Sequence, residues 1–131
     1  MGEHPNLQNL RKGYEAFQQG DMATLAELFA QDVVWHVPGD SPISGDYKGQ
    51  EEVFGYFGKL VQETEGSFKL DIEAMFADAE RGVAVHRLTA DRQGKHLDSY
   101  SANVYTYDSD GRITEAWQMS TDTQAASEFF S

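Results

Sequence analysis

The chain has 131 residues, 22 acidic and 10 basic side chains, a formal charge of -12 and no cysteine. That length suits one domain, which would bury roughly two-thirds of the surface of its unfolded chain. The missing cysteines exclude disulfides, thiolate metal sites and cysteine nucleophiles and point to a reducing cytoplasm. The negative charge repels phosphate backbones and anionic lipid, so nucleic acid and membrane surfaces are not expected as partners. No run approaches the roughly 20 apolar residues that cross a bilayer, and the first residues carry no apolar signal segment, so a soluble protein is expected.

Leu7, Leu10, Tyr14 and Phe17 recur at intervals of three and four, the stripe of an amphipathic helix that Gly20 ends. Asp21 is a suitable N-cap for a second helix, MATLAELFA. Val33 to Val37 reads as a short strand stopped by Pro38, and Gly39 to Gly49, rich in turn formers, as a loop over the rim of an opening. Val53, Phe54, Tyr56, Phe57, Leu60 and Val61 give a third helical stripe that ends near Gly66. Beyond it, alternation predicts antiparallel strands around Phe68 to Ala74, Val83 to Leu88, Leu97 to Tyr107 and Arg112 to Met119. Turn residues separate them at Ala79 to Gly82, Gln93-Gly94 and Asp108 to Gly111. TDTQAASEFF suits a terminal helix capped by Asp122. Helices first and hairpin-linked strands afterwards is an α+β layout, helices on one face of a bent antiparallel sheet. If they cover the concave face incompletely, a pocket remains.

The order of helix, Gly20-Asp21 turn, helix, VVWHVPG, YKGQEEV, helix and DSDGRITEAW resembles the SnoaL-like branch of the nuclear-transport-factor-2-like superfamily, over roughly Leu7 to Phe130. The resemblance implies a cone-shaped sheet with helices on its concave face, a small hydrophobic ligand and pairing of two copies through the exposed sheet face. That scaffold serves ketosteroid isomerases, polyketide cyclases, dehydratases, epoxide hydrolases and plain binding subunits. The isomerases' aspartate before the first-strand proline falls on Val37, their helix tyrosine on Gly13, and their protonated aspartate on Asn103. Tyr14 lies one residue from the tyrosine position, about 100° around the helix. An amide donates a hydrogen bond but relays no proton, so a ketosteroid isomerase is not expected.

Four side chains carry the candidate chemistry, with Asp98 as a partner. His36 has the residue type for acid-base work at neutral pH, yet if Trp35 and Val37 point inward, alternation turns it to the outer face unless a bulge intervenes. Asn103, in mid-strand, needs a partner if buried: ligand, water, Tyr14 or a neighbouring strand. His86 shares its face with Ala84 and Leu88 and is either a satisfied core histidine or, paired with Asp98 across the hairpin, a general base. Phe17, Trp35, Val37, Phe54, Phe57, Met75, Tyr105 and Trp117 supply candidate pocket wall. Trp117, expected on one face with Ile113, Glu115 and Met119, equally suits a dimer interface. The histidines show no metal-ligand spacing. The expectation is a small-molecule pocket protein: a cofactor-independent lyase, isomerase or cyclase acting on an uncharged ring or polyketide-like substrate, or a non-catalytic carrier or dimerising module of the same fold.

Overall fold

The computed structural model describes residues 3–131. Helix α1, Pro5–Gln19, ends at Gly20, whose φ of 71° is the left-handed conformation that closes a helix C-terminus without a Cβ clash. Helix α2, Met22–Leu28, starts at once because the Asp21 carboxylate accepts from the Thr24 N–H at 3.1 Å. It is shorter than its apolar stripe suggests, since Phe29 and Ala30 open strand β1, Phe29–Val37. Then come β2 (Gly45–Lys48), α3 (Gly49–Glu63), β3 (Lys69–Ala77), β4 (Arg81–Arg92), β5 (Lys95–Tyr107), β6 (Ile113–Ser120) and α4 (Thr123–Phe129).

The six strands form one sheet in the order β2-β1-β6-β5-β4-β3. Two features differ from the sequence reading. The expected loop over residues 39–49 contains β2, which pairs antiparallel with β1 through Trp35 opposite Tyr47 and His36 opposite Asp46. Four residues, GDYK, are too few to show alternation, and the strand exists because β1 offers an edge. The sheet is also not wholly antiparallel: β1 runs parallel to β6, with His36 opposite Trp117. The connection between them is almost the whole remaining chain, far beyond the dozen residues a parallel crossover needs.

Register shifts in β1, in β3 between Ile72 and Ala74, and at Thr106/Tyr107 bend the strands and curl the sheet into an unclosed cone. Helices α1 and α3 lie on the concave side, burying Leu10 and Tyr14 from one and Val53, Tyr56, Phe57 and Leu60 from the other. The inner sheet face presents Val33, Trp35, Ala84, His86, Asn103, Tyr105 and Ala116, each at most 6% exposed. The shift at Thr106/Tyr107 turns Ile113 inward to join the core, separating it from Glu115, Trp117 and Met119, with which strict parity would place it.

Helix α4, capped by Asp122 through the Ala125 N–H at 3.0 Å, closes the narrow side of the cone. The chain after β1 is tied to it by the Asp40 N–H, which donates to Ser127 Oγ at 3.2 Å. This approach requires Gly39, whose φ is +97° and where a Cβ would stand 2.2 Å from Ser127 Oγ. Gly39→Ala should therefore cost at least about 1 kcal/mol of stability through backbone strain and a displaced Ser127. An unchanged urea midpoint would show that the loop and α4 are not held together in this way.

Candidate functional site

Between α1, α3 and the inner faces of β4, β5 and β6 the core fails to close. The hollow that remains leaves about 60 Å³ open to the centre of a water-sized sphere, several times what a single water needs. Phe17, Trp35, Phe57 and Tyr105 give it an aromatic wall, and no Asp, Glu, Lys or Arg lines it. Its polar groups are neutral and fall into three clusters.

The first joins α1 to β5. Tyr14 and Tyr105 bring their hydroxyls to 2.7 Å, and Asn103 Nδ2 donates to both, at 3.2 and 3.0 Å. With the Asn103 NH₂ presented to both oxygens and one hydroxyl proton bridging the tyrosines, the other O–H has no acceptor within this trio. Burial pushes both phenols well above their ordinary range, so neither ionises near neutrality. Tyr14, one residue away from the position the resemblance marks, still reaches the hollow, alongside Gly13.

The second cluster is centred on Gln118 of β6. Its Oε1 accepts from Trp35 Nε1 at 2.6 Å and from the Tyr56 hydroxyl at 2.7 Å. An indole N–H can only donate, so the contacted atom is the amide oxygen and the NH₂ is turned elsewhere.

The third is His86, 2% exposed, whose Nδ1 lies 2.6 Å from Ser101 Oγ. Its Nε2 is buried without a hydrogen-bond partner among the described residues, and the ring is part of the wall of the hollow. Desolvation pushes the ring's pKa down to about 4, with a smaller opposing effect from a hydrogen bond to its own backbone. Only Nδ1 can reach that backbone, and an orphan buried N–H is rarer than an orphan acceptor. We therefore assign the proton to Nδ1, which leaves Nε2 as an unshared lone pair. The Tyr14 ring packs on the imidazole with centroids 5.8 Å apart, and both side chains line the hollow.

The structure places the other candidate residues away from the hollow. His36 is on the outer face, as plain alternation from Trp35 requires: Nδ1 is 2.6 Å from Asp46 Oδ1, Nε2 is 2.6 Å from Glu115 Oε2, and the ring stacks on Trp117 at 5.5 Å. Hydrogen bonds to the Glu115 and Asp46 carboxylates raise its pKa, and it takes no part in the hollow. Asp98 does not partner His86. It holds Arg87 through two bonds of 2.8 and 2.5 Å on the outer face, while Ser101 stands opposite His86. Trp117 is likewise outside. Phe54 packs on Phe29 and Phe57 without reaching the hollow, Met75 faces a surface groove beside α1, and Val37 lines an adjoining chamber.

Ser101, Gln118 and Tyr56 carry site chemistry that the sequence reading did not assign. For Ser101 a signal was present. Gln93-Gly94 is a two-residue turn with φ of 50° and 78°, the type I′ geometry. A turn of that length pairs Arg92 with Lys95 and, counting back, His86 with Ser101.

A family profile described as a SnoaL-like domain matches residues 10–116. The chain belongs to the SnoaL-like family. A relative from Mycobacterium tuberculosis (strain H37Rv), the uncharacterised protein Rv0034, is 31% identical over 99% of both chains. Among solved structures, Bal32a from a soil-derived mobile gene cassette is 40% identical, with a TM-score of 0.91 over 96% of both chains. IdmH from Streptomyces antibioticus, described as a proposed polyketide cyclase, is 22% identical, with a TM-score of 0.74 over 95% of this chain and 99% of its own. That last likeness bears on the fold. Among the described residues of this SnoaL-like protein, no helix is long and apolar enough to cross a membrane.

The two histidine environments give opposite pH signatures. His86 binds its proton more weakly folded than unfolded, so stability should fall as pH drops from about 6.5 to about 4. The loss should be about 2 kcal/mol, less than the full shift implies because water entering the hollow relieves part of it. His36, whose pKa is raised, contributes fully below 6.5 and loses its contribution only at higher pH. His86→Leu should flatten urea-measured stability across the acidic window. An equal slope in that variant would place the titrating group elsewhere.

Proposed function

We propose that this protein is a cofactor-independent acid-base enzyme of the isomerase, lyase or cyclase kind, acting on an uncharged ring or polyketide-like ketone. The observation that carries this reading is the unpartnered, buried Nε2 of His86, on a ring that lines a hollow without charged side chains together with the Tyr14–Tyr105 pair. A polyketide cyclase role proposed for IdmH, a protein of similar fold, supports the same direction.

In the proposed step, His86 Nε2 takes a proton from a carbon beside the substrate carbonyl, and the C–H electron pair moves into an enolate. The free O–H of the Tyr14–Tyr105 pair donates to the enolate oxygen as charge develops there, with Asn103 holding both phenols in place. A base of pKa about 4 is weak in the empty site. With an enolate alongside, in a medium that screens poorly, the imidazolium is favoured by the new opposite charge. The imidazolium then returns the proton to a different carbon in an isomerisation, or to the alkoxide formed when the enolate attacks a second carbonyl of the same molecule in a cyclisation. His36, outside the cone, has no part in it.

The test is exchange of α-deuterium from β-tetralone, followed by NMR. His86→Leu should lower the protein-catalysed rate at least about 100-fold, Tyr14→Phe should lower it less, and His36→Ala should leave it within twofold. Saturable binding of the ketone with no catalysed exchange in the wild type would favour the carrier reading instead.

We further propose that two copies pair through the outer sheet face. Among the described residues no helix covers that face, and it carries the half-buried Trp117 together with Phe76, Tyr100 and Met119, which are 64%, 48% and 49% exposed. An isologous pair would cover one such patch with its own copy. Light scattering should give the mass of a dimer for the wild type and of a monomer for Tyr100→Glu/Met119→Glu. A monomeric wild type at 100-fold dilution and at high concentration alike would contradict the pairing.

A further inference from the structure

The hollow does not end at its aromatic wall. Leu60, Phe68, Leu88, Ser101 and Gln118 also line a second chamber of about 60 Å³, so the two spaces adjoin at these residues. The chambers differ in character. The first is aromatic; the second is walled by Val37, Ile43 and Leu97 between the hydroxyls of Ser41, Ser99, Ser120, Thr123 and Ser127. No formally charged side chain lines either one. In a chain with 32 charged residues (22 acidic and 10 basic) that absence selects against charged ligands, because neither a carboxylate nor an ammonium would find a counter-charge.

The side chains at the second chamber are not all committed. Ser99 and Thr123 make no side-chain hydrogen bond among the described residues, while Ser127 only accepts, from Asp40. Where the chambers adjoin stands Gln118. Its oxygen is held by two donors, Trp35 and Tyr56, which fixes the plane and sense of the amide. The NH₂ is therefore turned away from Trp35 and Tyr56, has no acceptor among the described residues, and belongs to a side chain that lines both chambers. A ligand oxygen is the group that matches it.

Building on the reading that the aromatic chamber holds a ketone, we propose that the second chamber is a ligand subsite. The substrate is then an elongated, uncharged molecule: a ring in the first chamber, a carbonyl oxygen accepting from Gln118 Nε2 where the chambers adjoin, and a hydroxyl- or carbonyl-bearing chain against Ser99 and Thr123. The chamber's floor is α4, held against the residue 38–44 loop by the Asp40–Ser127 bond, so this loop and helix set the length of chain that fits.

The test is a set of dissociation constants, read by calorimetry, for naphthalene, acetylnaphthalene and a naphthyl hydroxypropyl ketone. On the wild type, affinity should rise along that series. Gln118→Met removes the amide donor and keeps the length of the side chain. It should weaken both ketones about tenfold and leave naphthalene within about twofold. Ser99→Leu fills the second chamber and should weaken only the hydroxypropyl ketone, again about tenfold. Melting temperatures near the wild type's would confirm that both variants are folded, and Gln118→Leu serves as the donor-free variant if Gln118→Met is not. Naphthalene binding with a flat ketone series, or ketones indifferent to the loss of the Gln118 donor, would overturn the subsite while leaving the ring chamber in place. Failure of all three ligands to bind the wild type would overturn the ring chamber and the subsite together.

Discussion

A hollow lined without formal charge is the constraint from which the chemistry of this protein follows. In such a space the neutral form of every titratable group is favoured, which moves bases down and acids up. The same residue type therefore behaves in opposite ways on the two faces of one sheet. His86, on the inner face, has its pKa pushed down to about 4, while His36, on the outer face between Asp46 and Glu115, has its pKa raised. The inner histidine is left as a lone-pair donor and the inner tyrosines as hydrogen-bond donors that do not ionise. Those are the forms that proton transfer to and from an uncharged carbonyl compound requires.

The fold sustains this by satisfying its buried polar atoms mostly among themselves. Asn103 presents its NH₂ to Tyr14 and Tyr105, and Gln118 spends its oxygen on Trp35 and Tyr56. Each cluster ties a helix or the first strand to the central strands, so the groups that would carry chemistry also hold the cone in shape. Among the described residues two buried side-chain atoms stay without a partner, His86 Nε2 and the Tyr107 hydroxyl, and of these His86 belongs to the wall of the hollow. Buried groups without partners are costly, and His86 stands where a ligand can supply the missing bond.

Much of the architecture was legible because it rests on local signals. Helix stripes, the Gly20-Asp21 boundary, the Gln93-Gly94 hairpin and the Asp122 cap each need only a few neighbouring residues to be read, and each is found in place. That Trp35 and His36 take opposite faces follows from alternation, and the buried Val33 and Trp35 fix which face is inner. What was not legible depended on distant partners. β2 is a strand only because β1 is beside it, and the parallel β1–β6 pair joins segments separated by most of the chain. A bulge at Thr106/Tyr107 moved Ile113 out of phase with Trp117. Gln118 is the clearest case. As a polar residue next to a tryptophan it carries the signature of an outer-face position, and only the pairing with Asn103 across β5 and β6 turns it inward.

The state of the His86 ring tests this account most directly. Nitrogen-detected NMR of the histidine side chains between pH 3 and 8 reports both the titration and the tautomer of each ring. The structure predicts that His86 stays neutral down to about pH 4, with its proton on Nδ1 and a lone pair on Nε2. Titration of that ring near or above its ordinary value of 6.5, or a proton resident on Nε2, would contradict a dry, base-bearing interior.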